Sequence, residues 1–198
     1  MEETLLSVAL GLGLAAACGF RVFVPFLVMG AAVRTGYLDV SPGFEWLAAD
    51  AALIAFAVAT ALEVAAYYVP WIDNLLDTVA TPAALVAGIL VTASVVTDTS
   101  PLVRWTLAVL AGGAAAASVQ ALTVAARQLS SFATLGLGNA VIATGEAVGA
   151  VAMALTAILL PLVALAVLLV LLAVAVRWVL FGGPRRGARS ADPTGSTP

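Results

Sequence analysis

The chain contains no histidine, no lysine and a single cysteine, and only 10% of its 198 residues are charged, against about 25% in an ordinary soluble domain. Without histidine it lacks the commonest zinc ligand and the usual acid–base group near neutral pH. One cysteine, Cys18, supports neither an internal disulfide nor a thiolate metal cluster. Metallohydrolase and Ser-His-Asp chemistries are thereby excluded. A net charge of −3 is too small to imply nucleic acid or any other strongly charged partner, and no cofactor is expected.

What the chain does contain is apolar surface. Hydrophobic residues make up 63% of it, and the mean hydropathy is +1.14. Several apolar runs reach the roughly 20 residues that a helix needs to cross a bilayer. The expected fold is an all-α, polytopic transmembrane helical bundle of about six spans in the cell membrane. It forms one domain over residues 1–181, followed by a Gly-, Pro- and Arg-rich tail, 182–198, expected to be a disordered cytoplasmic segment.

In chain order, the first span runs from about Leu5 to Val33, with a kink near Arg21 because Pro25 cannot donate a backbone hydrogen bond. A loop over 35–46 with turn residues Gly36, Pro42 and Gly43 precedes a second span from Trp46 to Val69. Thr81-Pro82 reads as the cap and first position of a short third span ending near Val96. The fourth span covers Trp105 to Arg127, and a polar connection follows to Asn139. The 41 residues from Ala140 to Leu180 are divided at Pro161 into two more spans, with one long tilted helix or a re-entrant fifth segment as the alternatives.

All four tryptophans, at 46, 71, 105 and 178, fall at span ends, where amphipathic rings favour the headgroup layer. Six crossings return both termini to one side. That side holds Arg127, Arg177, Arg185, Arg186 and Arg189, with only Arg34 and Arg104 on the other, so the positive-inside rule places both termini in the cytoplasm. Gly13, Ala15, Ala16, Ala17 and Gly36 recur at an offset of 100 as Gly113, Ala115, Ala116, Ala117 and Gly136. Three spans per half would then form an inverted 3+3 repeat with broken helices, an arrangement found in secondary transporters.

Polar residues concentrate between Glu63 and Pro82. Glu63 lies inside the second span, Asp73, Asn74 and Asp77 follow, and a spacing of four puts both aspartates on one helical face. Arg127, Asn139 and Glu146 fall in the same leaflet by the count of crossings, with Arg21 deeper. An oxygen-rich cluster with an acidic excess suits a hard cation or protons; which metal, if any, is left open. Each member also has a structural alternative: Arg21 paired with Glu63, the aspartates solvated, Asn139 capping a helix.

The motifs G-F-R-x-F-x-P at Gly19–Pro25, L-E-V…P-x-x-D-N-L-L-D-T-V-A-T-P at Leu62–Pro82 and R-x-x-S…T-x-G-x-G-N…E at Arg127–Glu146 resemble a small bacterial and archaeal integral-membrane family catalogued as a domain of unknown function. The resemblance extends to about Arg177. It departs at Ala140, where relatives often carry proline. It implies a membrane location and these candidate positions, and no substrate.

The sequence thus favours a small secondary transporter or channel for a cation or small solute, with the bilayer as its main partner and a homo-oligomer left open. The alternatives are a membrane-embedded lipid-modifying enzyme or a structural or assembly protein without transport activity.

Overall fold

The computed structural model describes residues 2–97, 99–134 and 138–181, leaving out the side chains of residues 70–77, 178, 179 and 181. The disordered tail expected over 182–198 lies outside the described residues. The helices are α1 (Glu2–Phe20), α2 (Phe23–Arg34), α3 (Asp50–Ala66), α4 (Pro70–Val95), α5 (Pro101–Leu107), α6 (Gly113–Thr134), α7 (Asn139–Leu159) and α8 (Pro161–Phe181). A 3-10 turn over Glu45–Ala48 precedes α3, and a π-helical turn over Ala108–Gly112 joins α5 to α6. No strand occurs among the described residues. The protein is a polytopic transmembrane helical bundle.

The Ala- and Gly-rich composition explains how the bundle packs. Between bilayer-embedded helices there is no hydrophobic driving force, so close backbone approach over small residues must supply the contact. Helix α1 does this at the centre: from Ala9 to Gly19 only Leu12 escapes full burial. A Cβ on Gly13 would lie 2.8 Å from Ala157 Cβ and 2.9 Å from Ala164 Cβ, and one on Gly88 would lie 2.5 Å from Ala116 Cβ. Large side chains instead face outward to lipid, among them Ile54, Val58 and Leu62 on α3, which has no fully buried residue.

Among the described residues, four stretches are long and apolar enough to cross a membrane, Glu2–Phe20, Thr78–Val95, Pro101–Thr134 and Asn139–Leu159, while the apolar segments Phe23–Arg34 and Pro161–Arg177 are shorter. The expected count of about six exceeds these four. The expected division at Pro161 is present, with the chain leaving α7 at Leu160.

The first expected span is two antiparallel helices. Pro25 removes the donor that would bond the carbonyl of Arg21, and the helix stops at Phe20. Gly11 of α1 packs on Thr92 and Val95 of α4, and Ala15 lies opposite Gly88. Further along the chain, Ser94 Oγ of α4 donates to Met29 Sδ of α2 at 3.4 Å. Helix α2 therefore doubles back towards the level of Gly11, whereas a kinked continuation would have carried it away.

That reversal changes the count of passes. Gly13 touches Ala164 of α8, and Phe20 shares a cleft with Leu171, so α1 and α8 run in the same direction. Glu2 and Phe181 lie at opposite ends of the bundle. Six full crossings would instead have brought these two ends to one side.

Two other boundaries differ from expectation. Helix α4 starts at Pro70 and continues through Pro82, because a proline within a helix removes only one hydrogen bond and membrane helices tolerate this. The polar stretch after Arg127 stays helical to Thr134, where the Thr134 hydroxyl donates to the Ser130 carbonyl at 2.8 Å and then accepts from the Gly138 N–H at 2.9 Å. Self-bonding hydroxyls let a Ser/Thr-rich sequence remain helical. The loop after α2 matches its turn residues: Gly36 and Gly43 have φ of 75° and 92°, the left-handed region that glycine occupies without strain.

Candidate functional site

The break between α1 and α2 leaves backbone donors without intrahelical partners. Glu63, near the end of α3, takes them: its Oε1 accepts from the Val22 N–H at 2.8 Å and its Oε2 from the Phe23 N–H at 3.1 Å. A carboxylate there also suits the positive end of the α2 dipole. Glu63 is therefore a cap supplied by another helix, and no ion pair joins it to Arg21.

Arg21, at the break itself, is 1% exposed. Its Nη2 donates to the Ala143 carbonyl at 2.9 Å and lies 3.2 Å from Glu146 Oε2. Arg127 of α6 reaches the same oxygen through Nη1 at 2.5 Å. Both guanidiniums also sit over the Tyr67 ring, with Cζ 3.9 Å from the centroid for Arg21 and 4.5 Å for Arg127, within the range of cation–π attraction. Two arginines, one glutamate and one aromatic ring thus close a buried centre where α1, α3, α6 and α7 meet.

Glu63, Arg127 and Glu146 lie at the same end of the bundle, as the count of polar positions required. Asn139 lies beyond them: it opens α7 and its Nδ2 donates to Ser131 Oγ at 3.0 Å. Asp73, Asn74 and Asp77 belong to the first turns of α4, and their side chains lie outside the described residues. No group of three or more Asp, Glu, Cys or His side chains that could hold a metal ion occurs among the described residues. The expected acidic excess counts Asp73 and Asp77, whose side chains fall outside that description; of the remaining charges, Arg21 and Arg127 both meet Glu146, and Glu63 meets backbone N–H groups.

Sequence reasoning missed Tyr67. The available signal was an aromatic residue one helical turn after an intramembrane carboxylate, which places both on one face. Tyr68, its neighbour, shares a hydrogen bond with Thr144 at 2.8 Å, tying the end of α3 to α7. Thr123 bonds within its own helix to the Gln120 carbonyl at 2.9 Å.

Two clefts flank the centre. One, of about 390 Å³, lies between α2, α3 and α4 and is lined by Val22, Phe23, Leu62, Glu63, Tyr67 and Val79 among others. The other, of about 350 Å³, is bounded by α1, α6, α7 and α8 and includes Phe20, Thr123, Glu146 and Leu171. Both have nearly continuous apolar walls, broken on each side by one carboxylate.

A helical membrane bundle with a charged centre at a reversed helix is the class these features define. Residues 8–180 match the family model described as Domain of unknown function (DUF4126), and the chain belongs to that family. Neither the curated proteins nor the solved structures contain a match to it.

Proposed function

We propose that this protein is a small secondary transporter in the cell membrane, moving a small solute past the centre formed by Arg21, Tyr67, Arg127 and Glu146. The observation that carries the reading is the break at Arg21, where helix α1 ends within the bundle and its freed donors are held by Glu63 from another helix. Discontinuous helices whose ends meet charged groups are the usual construction of substrate sites in such transporters. Ionisable residues within a membrane are costly and mark functional sites by default.

The solute form of the proposal is favoured over the cation form. Cation binding would call on oxygen donors gathered together, and the described carboxylates are instead occupied by arginines and backbone N–H groups. Orientation is read from charge: Arg127 and Arg177, followed in the chain by Arg185, Arg186 and Arg189, outnumber Arg34 and Arg104 at the other end, so the positive-inside rule makes that end cytoplasmic, and the C-terminus with it. The N-terminus is then outside. The opposing structural reading rests on Glu146, which two arginines already hold.

Purified protein in liposomes on a solid-supported membrane, challenged with a panel of carboxylates, amino acids, Na⁺ and K⁺, tests the proposal. Transport current is expected with at least one solute and is expected to fall at least about tenfold in Glu146→Gln, a loss of about 1.4 kcal/mol of coupling. No current above empty liposomes, or equal currents from parent and variant, would refute it.

A further inference from the structure

Arg21 is held by too few partners for its charge. A guanidinium carries five N–H donors, two of them on Nη2, which here meets Ala143 and Glu146. The other three are on Nε and Nη1, and both atoms are buried without a hydrogen-bond partner. Tyr67 does not serve them, because Cζ stands over the ring and the contact is made by the face of the guanidinium, whereas the N–H groups point along its edge. A locking ion pair of purely structural type gains its worth by satisfying such donors.

We propose that Arg21 anchors a binding site for an oxyanion, a carboxylate or phosphate group that accepts from Nε and Nη1. An oxyanion offers several lone pairs and a compensating charge, and charge-assisted bonds of this kind are short and strong. The inference rests on reading the charged centre as the transport site, and names the substrate class.

The surroundings indicate how the anion arrives. Val22, next to Arg21, lines the cleft of about 390 Å³ together with Glu63 and Tyr67. Phe23, Leu62 and Val79 at the same cleft are 37%, 66% and 61% exposed, so the opening faces lipid. Helix α3, which forms one wall, buries no residue fully and can shift without opening a void in the core. An oxyanion carried on an apolar tail therefore fits this route, the tail along the cleft and the anion past Tyr67. A free oxyanion entering from water is the other source of the same chemistry.

The test measures ligand-induced stabilisation of the full chain in a maltoside detergent, a binding readout independent of flux. The probes are decanoate, dodecyl phosphate, decanol, acetate and inorganic phosphate. Decanoate or dodecyl phosphate is expected to raise the melting temperature at a concentration at least about tenfold below that of decanol. Arg21→Lys, which keeps the charge beside Glu146 and loses the fork, is expected to weaken that effect at least about tenfold. Ala80→Leu narrows the same cleft and leaves Arg21 with its hydrogen-bond and ion-pair partners Ala143 and Glu146, and is expected to weaken binding of the tailed anions while the unliganded melting temperature holds.

Stabilisation by acetate or phosphate equal to that by the tailed anions, and lost in Arg21→Lys, supports the site and assigns it a soluble ligand. Equal stabilisation by decanol and decanoate, no stabilisation by any anion, or full retention in Arg21→Lys would overturn the proposal. If Arg21→Lys does not fold, a parent that responds to decanol as to decanoate still overturns it. Anion binding without transport current would preserve the site and refute the transport reading, and current carried only by cations would do the reverse.

Discussion

Glu146 and Arg21 form one pair and yet differ sharply in what their loss leaves behind. Replacing Glu146 by Gln removes the carboxylate that both guanidiniums share, at 3.2 Å from Arg21 and 2.5 Å from Arg127. Arg21, 1% exposed, then has no acidic partner. Leaving a buried charge uncompensated costs about 3–5 kcal/mol, which lowers the melting temperature of a protein this size by about 6–20 °C. Arg21→Gln is milder. Glu146 keeps Arg127, so the loss is that of one charged hydrogen bond, about 1.5–3 kcal/mol. The double variant removes the source of the larger cost, and its destabilisation is expected to fall short of the sum of the two by about 0.5–3 kcal/mol. Thermal melts of the four proteins in one detergent give all terms of the cycle. Equal costs for the two single variants together with strict additivity would show that Arg21 does not depend on Glu146, and the electrostatic account of the centre would fail.

Packing of small residues yields a second prediction. Gly88→Val would press its Cβ to 2.5 Å from Ala116 Cβ and 2.8 Å from the Gly112 carbonyl, and is expected to destabilise by at least about 1–3 kcal/mol, whereas Gly145→Ala meets nothing within 4 Å and is expected to be neutral or to stabilise by up to about 1 kcal/mol; parallel melts check both. The reversal at Arg21 yields a third: epitope tags at the N-terminus and C-terminus of the protein in intact cells are expected to be accessible from outside and inside respectively, and both tags on one side would refute the placement of Glu2 and Phe181 at opposite ends of the bundle.

The sequence made some features plain and hid others, for identifiable reasons. Composition alone requires membrane helices, and the interruption at Arg21 follows from Pro25. Its angle does not: a proline shows where a hydrogen bond is lost, whereas the return of α2 along α4 depends on contacts at Met29 and Ser94, 65 residues apart in the chain. Pro82 shows the converse, since the same residue type sits inside α4 without ending it. Glu63, Arg127 and Glu146 were legible as members of one cluster because counting passes fixes their level. Their partners were not, because whether Arg21 meets Glu63 or Glu146 turns on side-chain direction. Glu63 faces two freed N–H groups and Glu146 faces two arginines. Tyr67 escaped notice for a related reason, since an aromatic near a span end reads as an interfacial anchor until two guanidiniums are found against it.

Helix α3 has a further consequence. It is held on one side by α2, through the stacked rings of Phe26 and Phe56 at 5.2 Å and the Glu63 carboxylate, while Ile54, Val58 and Leu62 turn outward. Its 17 residues measure about 26 Å at the α-helical rise, short of a hydrocarbon layer of about 30 Å. Such a mismatch is accommodated by tilt or by local thinning of the bilayer. Tyr67 and Tyr68 fasten the end of α3 to Arg21, Arg127 and Thr144, so a change in its tilt would be carried to the carboxylate closing the break between α1 and α2. The charged centre would in this sense be coupled mechanically to bilayer thickness, and the same chain in a thin membrane and in a thick one would hold Glu63 under different tension.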